Sequence, residues 1–261
     1  MAWGRIIQHM SEQEICFGHW RVVVDAEDGA RVGSLRFDGA ELLTTRPEVW
    51  RPPADAGPFL KRPVYGFDDC FPSIDGCAFP GGQLPDVPDH GELWRLKWDV
   101  LVNSDQLHAH VRSELYPVMF ERTMVFSDDR LEWRFRAINT SHSPLPVLHA
   151  MHALMPPQDV EALELPAFQA VLNEGAGRPL DIAAPDALAE FLLSRPAGYC
   201  ATLLLHDVAA GEARIRLNHG LTLRVDWPLE LLGHVAIWWS RGGRQEWALE
   251  PMPGRYSSLE R

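Results

Sequence analysis

The sequence has 261 residues, with 24 basic against 36 acidic side chains and a formal net charge of −12. That acidity argues against a polybasic nucleic-acid or membrane-surface binder. With 46% hydrophobic and 23% charged residues, the composition is that of a folded globular protein and excludes disorder and collagen-like repeats.

Met1 to Gln13 carries Arg5, His9 and Glu12 without an apolar core, so no export signal is expected there. The longest apolar runs, such as Ala201 to Leu205 and Val235 to Trp239, are far below the ~18 residues of a bilayer span. A soluble protein is expected. The four cysteines, Cys16, Cys70, Cys77 and Cys200, form no CxxC pair. Reduced thiols in a cytoplasm fit this spread better than disulfides or a zinc site.

In chain order, Arg21 to Asp25 and Arg31 to Phe37 flank a Glu27-Asp28-Gly29 turn and predict a hairpin. Trp50 to His90 is rich in Pro and Gly and poor in periodicity; its aromatic residues Phe59, Tyr65, Phe67, Phe71 and Phe79 predict an ordered segment rather than a disordered loop. Leu131 to Ile138 alternates apolar and polar, the pattern of a half-buried strand, and ends at the cluster Asn139 to Pro144. Asp186 to Ser194 is the one convincing helical window. Leu203 to His206, Arg214 to Leu217 and Leu221 to Val225 read as three further strands. His234 to Trp239 and Gln245 to Glu250 predict a second hairpin, in which Gly242 and Gly243 are expected to supply a positive φ. There is no internal repeat, no low-complexity tract and no composition break that would mark a linker.

Few residues are placed for chemistry. His90 closes the irregular stretch and precedes Gly91, a position that suits a cleft-facing imidazole or, equally, a surface histidine bonded to its own loop. Glu250 ends a strand just before Pro251; alternation sets it with Glu246 and Ala248 on one face and Trp247 and Leu249 on the other. His149 and His152 are three apart, which on a strand sends them to opposite faces. His108 and His110 share a face, but no third ligand stands in frame beside them, so no metal is expected. Ten tryptophans are chiefly core, with some free to stack on sugar faces. No GxSxG, Walker A, GxGxxG or HExxH string occurs.

Taken in series, these segments resemble the aldose 1-epimerase (galactose mutarotase-like) family. The resemblance rests on Gly39-Ala40-Glu41-Leu42-Leu43, Gly66 to Pro72 with its FP end, His90-Gly91 leading to Trp98, and Asn139-Thr140-Ser141-His142-Ser143-Pro144-Leu145-Pro146. It extends to His152 and to Glu250-Pro251-Met252-Pro253-Gly254. It implies a single all-β domain over 1–261, a supersandwich of antiparallel sheets with a sugar cleft, a monosaccharide substrate and no cofactor; a monomer or homodimer is expected. It also implies acid/base interconversion of α and β anomers. By motif position Glu250 is the base, His152 the acid, and His90 the sugar-binding and charge-stabilising partner. Substrate contacts are expected from Asp69, Glu92, Trp94 and His149, with His149 the alternative acid. The roles suit ordinary carboxylate and imidazole pKa values of about 4.3 and 6.5.

The sequence departs from the family's pattern in two places. Ala153-Leu154-Met155 follows His152 where a proline and an aromatic are usual. Asp68 and Asp69 stand where an arginine is usual, so a phosphorylated or acidic sugar is expected to be repelled unless Arg62 or Arg95 reaches in. A non-catalytic carbohydrate-binding domain, or a scaffold reused for sugar isomerase or lyase chemistry, stays open beside the mutarotase reading.

Overall fold

The structure, a computed structural model, describes residues 6–7, 12–47 and 57–260. The expectation for Met1–Gln13 falls largely outside these residues, as do the first seven positions of the irregular stretch from Trp50. The chain forms two compact units, Met1–Val147 together with Ser258–Glu260, and Leu148–Ser257.

The first unit contains β1 (Ile6–Ile7), β2 (Gln13–Phe17), β3 (Trp20–Asp25), β4 (Arg31–Phe37), β5 (Ala40–Glu41) and β6 (Phe67–Cys70). It continues with β7 (Asp99–Val102), β8 (Gln106–Arg112), β9 (Val118–Phe126) and β10 (Leu131–Asn139). One antiparallel sheet runs β1-β7-β8-β9-β10; another runs β6-β4-β3-β2 with β5 on β4. Period-two patterning explains the first. In β9, Val118, Phe120, Arg122, Met124 and Phe126 are buried while the residues between them are half-exposed. The predicted β3–β4 hairpin is present, with a bulge at Val23/Val24. Its turn passes through Gly29 at φ +69, where a Cβ would run into the Trp94 backbone, so only glycine fits.

The irregular stretch is ordered where it is described. Phe59, Tyr65, Phe67, Phe71 and Phe79 are all buried, and Cys77 and Val87 form an isolated bridge. Hydrophobic burial, rather than a regular ladder, holds this segment.

The second unit contains β11 (Ala150–Ala153), β12 (Val160–Glu164), β13 (Ala170–Asn173), β14 (Arg178–Leu180) and β15 (Cys200–His206). β16 (Glu212–Leu217), β17 (Thr222–Asp226), β18 (His234–Arg241) and β19 (Gln245–Met252) follow. A five-stranded sheet runs β14-β13-β15-β18-β19, and β12-β16-β17 form a smaller one. The helix α1 (Pro185–Leu193) starts with proline at its first position and Asp186 in its first turn, both favourable there. Leu188, Ala189 and Leu192 form its buried stripe, which packs on β12.

The β18–β19 hairpin pairs Trp239 with Trp247 and Arg241 with Gln245. Its turn corrects the expectation from the glycine pair: neither Gly242 nor Gly243 takes a positive φ. Side-chain hydrogen bonds close it instead. Ser240 Oγ donates to the Arg244 carbonyl at 2.7 Å, and Gln245 Nε2 donates to the Gly242 carbonyl at 2.9 Å.

Candidate active site

In the first unit, His90 sits at φ +60 between Asp89 and Gly91, an uncommon conformation for a residue with a Cβ. Its N–H donates to the Ile74 carbonyl at 2.7 Å, and the Glu92 N–H donates to the Phe71 carbonyl at 3.1 Å. Gly91 and Phe71 form a bridge. These bonds fix the segment, and three neighbours fix the ring. Asp89 Oδ1 lies 2.9 Å from His90 Nδ1. Phe59 stacks on the imidazole with centroids 3.8 Å apart, and Trp94 meets Phe59 edge-on at 5.2 Å. Cys70 Sγ and a ring nitrogen of His90 are within 4.8 Å.

Asp69, Glu92 and Trp94, expected as substrate contacts, are all shut away from solvent. Asp69 Oδ2 accepts from Arg122 Nη1 at 2.6 Å. Glu92 accepts from the hydroxyl of Ser113 and from the N–H groups of Glu114 and Leu115, each at 3.2 Å for Oε2. Burial pushes the Glu92 carboxyl pKa up, and these hydrogen bonds oppose the rise. Trp94 Nε1 donates to the Gly91 carbonyl at 2.9 Å. Glu92 and Trp94 brace the segment that carries His90, while Asp69 is held by Arg122.

The expected repulsion from Asp68 and Asp69 also needs correction, because both have buried counterions. Asp68 pairs with Arg31 at 2.6 Å, Asp69 pairs with Arg122, and Asp28 joins Arg31 to Arg62. Three carboxylates face three guanidinium groups, so the cluster is locally neutral. Arg62 and Arg95 do not stand as spare cations: Arg62 is paired with Asp28 and lies over the Trp94 ring, and Arg95 is 3.7 Å from Glu114.

In the second unit, Glu250 on β19 is 3% exposed, with Ala236 opposite it on β18. His152 on β11 is 5% exposed. β11 packs against β19, and just beyond it Met155 and Trp247 form an antiparallel bridge with N–H···O distances of 2.8 and 2.9 Å. Three residues back from that bridge is His152 and three forward is Glu250. His149 precedes β11, is half-buried, and by its odd spacing belongs to the other side. The unit thus holds a buried carboxylate and a buried imidazole on two strands that pack together, residue types able to remove one proton and supply another.

No protein-family model matches the sequence, and a search of curated proteins finds no match. Solved structures do match. The Slr1438 protein from Synechocystis sp. PCC 6803 is similar over 97% of this chain and 88% of its own, with a TM-score of 0.77 and 15% identity. A candidate aldose 1-epimerase from Escherichia coli K12 is similar over 95% and 90%, at 0.68 and 17%. A galactose mutarotase-like protein from Clostridium acetobutylicum is similar over 94% and 85%, at 0.68 and 15%. The fold is galactose mutarotase-like. At these identities the likeness establishes the fold and leaves the chemistry to the residues.

Within this mutarotase-like fold, sequence reasoning missed His206 and His234. β18 pairs His234 with Met252 and Ala236 with Glu250, so His234 stands two rungs along from Glu250, the next position on the same face. The rings of His206 and His234 meet edge-on at 5.8 Å, and Tyr256 lies 5.9 Å from His206. His206 Nε2 donates to the Arg255 carbonyl at 2.9 Å, and His234 Nδ1 accepts from the Asp207 N–H at 3.1 Å. Burial pushes the His234 pKa down, which favours the neutral ring. The available signal was parity with Glu250, legible only once the hairpin register is known.

Proposed function

We propose that the protein is an aldose 1-epimerase-like mutarotase acting on a neutral monosaccharide. Glu250 takes the proton from the anomeric hydroxyl. The C1–O5 bond breaks with its electron pair going to O5, and His152 supplies the proton that O5 receives. Rotation about the C1–C2 bond and reversal of the same transfers close the ring with either configuration at C1. His90, assigned by its HG motif, binds the sugar.

The observation that carries this reading is the burial of His152 and Glu250 on β11 and β19, strands that pack together, each residue three positions from the Met155–Trp247 bridge. The shared fold and the motif series support it. So does the chemistry: positioned acid and base groups contribute about 10²- to 10⁴-fold each. Arg62 and Arg95 are both engaged by carboxylates, so neither is a spare cation for a sugar phosphate, which suits an uncharged sugar. A cytoplasmic setting fits the four free cysteines.

The test is anomer exchange, followed by NMR or polarimetry on freshly dissolved α-glucose, α-galactose and other aldoses in a weakly catalytic buffer. Acceleration that disappears in Glu250→Gln supports the proposal. Sugar binding without acceleration of any aldose would replace it with a carbohydrate-binding module.

A further inference from the structure

Two rungs beyond Glu250, the next position on its face is His234, a hydrogen-bonding ring with a fixed tautomer. A backbone N–H can only donate, so the 3.1 Å bond from the Asp207 N–H makes His234 Nδ1 the accepting nitrogen. In the neutral ring the proton is therefore on Nε2. The bond to Asp207 is the one hydrogen bond that the His234 ring makes among the described residues. The ring is held in place by His206, edge-on at 5.8 Å, and His206 is itself tied to the Arg255 carbonyl. The side chain is 13% exposed, enough to present one polar atom.

There is also room at this end of the sheet. The loops that carry Phe168, Gln169, Asp207, Leu229 and Gly233 line an open surface depression of about 520 Å³. Asp207 and Gly233, the donor to His234 and its chain neighbour, are both part of the lining. The loops are pinned by backbone bonds: Val208 N–H to Gly233 O at 3.0 Å, Ala209 N–H to Ala167 O at 2.7 Å, and Gln169 N–H to His206 O at 2.9 Å.

We infer that His234 is a substrate-binding residue, its Nε2–H donating to an oxygen of the sugar whose anomeric end lies at Glu250. This rests on the mutarotase reading for the place of the sugar. The ligand chemistry is specific. A neutral ring donates to a hydroxyl or ether oxygen and offers no positive charge to a phosphate. The Asp207 carboxylate, 4.0 Å from Nδ1, is itself paired with Arg255.

Two substitutions separate the ring's two nitrogens. His234→Asn keeps an oxygen where Nδ1 accepts from Asp207 and removes the Nε2 donor. His234→Gln reaches further and restores an N–H near the Nε2 position. Equilibrium binding of the best aldose, read by tryptophan fluorescence and ligand-observed NMR, is expected to weaken about tenfold in His234→Asn, the scale of one hydrogen bond. It should recover in part in His234→Gln. Anomer exchange should show the loss mainly in KM, whereas Glu250→Gln loses kcat with binding retained. Long-range ¹⁵N–¹H spectra should show the neutral His234 ring protonated at Nε2.

Unchanged affinity in His234→Asn, or a ring protonated at Nδ1, overturns the inference. The binding arm stands apart from the chemistry. Lost affinity in His234→Asn supports the inference even if no aldose is accelerated, an outcome that would sink only the catalytic reading. A protein that binds no aldose at all sinks both.

Discussion

Arg122 and Asp69 meet in the interior of the first unit, Nη1 to Oδ2 at 2.6 Å, with neither side chain exposed at all. Arg122 enters from β9 on the same side as Phe120 and Met124, its guanidinium 5.0 Å from the Phe67 ring centre and 5.2 Å from that of Trp98. It also donates to the Ala30 carbonyl. Arg31 is equally buried but has two carboxylates, Asp28 and Asp68. At Arg31 burial opposes the charge, yet Asp68 and Asp28 outweigh it and the pKa is raised; at Arg122 burial, aided by the nearby Arg31 charge, wins over Asp69 and Asp68 and the pKa falls. Arg122 is therefore the less well compensated of the two.

Removing one member of the Arg122–Asp69 pair should cost more than removing both. Arg122→Met leaves a buried carboxylate without its counterion and is expected to cost about 3–5 kcal/mol. Adding Asp69→Leu should recover most of that loss, since apolar replacements of buried pairs are often near neutral. Urea denaturation of the three variants measures the cycle. A double variant no more stable than Arg122→Met would show that the pair's charge is not what the interior holds in balance.

Gly91 should not tolerate a side chain, for reasons a neighbouring glycine isolates. It sits at φ +69, and a Cβ built on it runs into the Phe71 carbonyl that accepts the Glu92 N–H. Gly39, at φ +84, has open space where its Cβ would go. Gly39→Ala then carries the left-handed strain alone, about 1–2 kcal/mol. Gly91→Ala carries the strain plus the displacement of the Phe71–Gly91 bridge, and should fall several kcal/mol below wild type. Thermal melts of the two, with the His90 ring signals as a local probe, decide it; equal losses would mean the close approach relaxes without cost.

The parts of the fold that could be read in the sequence are those set by neighbours along it. Alternation located the β18–β19 hairpin and put Glu250 opposite in face to Trp247, and the Asp186–Ser194 window anticipated α1 within one residue at either end. What escaped depends on partners far apart in the chain. Asp68 and Asp69 looked like bare acids because Arg31 and Arg122 are 37 and 53 residues away. His234 joins the face of Glu250 only through the register of the hairpin, and the turn at Gly242 is closed by the Ser240 hydroxyl rather than by glycine geometry. Burial of Glu92 and Trp94 likewise follows from packing, which no local pattern records.

Asp25 gives a pH dependence with a definite sign. Burial pushes its carboxyl pKa from 3.8 up to about 6, although its Oδ1 accepts the Glu27 N–H at 3.0 Å. A raised carboxyl pKa means that the folded protein holds more protons than the unfolded chain between about pH 4 and 6. Its contribution to stability is therefore full below pH 4 and is lost as pH rises through 6, by up to roughly 3 kcal/mol. Asp25→Asn keeps the acceptor and cannot ionise. The variant should match wild type near pH 4 and exceed it at pH 7, as read by urea denaturation at both values. An advantage of the same size at both pH values would remove the burial argument.

Trp239 and Trp247 are cross-strand partners with ring centres 5.4 Å apart, and neither buried indole N–H finds an acceptor among the described residues. Trp98 is equally buried, but its Nε1 donates to the Leu93 carbonyl at 3.0 Å. Replacing each with phenylalanine removes a similar apolar area and leaves a similar void. The polar terms then differ: Trp247→Phe deletes a donor that folding leaves unsatisfied, while Trp98→Phe deletes a made hydrogen bond. A lone buried donor costs about 1–3 kcal/mol, and a made bond contributes about 0.5–1.5. Trp247→Phe should therefore be the milder change by at least ~1 kcal/mol, measured by urea denaturation with matched m-values. If the two lose the same stability, the indole N–H of Trp247 has a partner in solution, and the inner face of this hairpin is wetter than its apolar lining suggests.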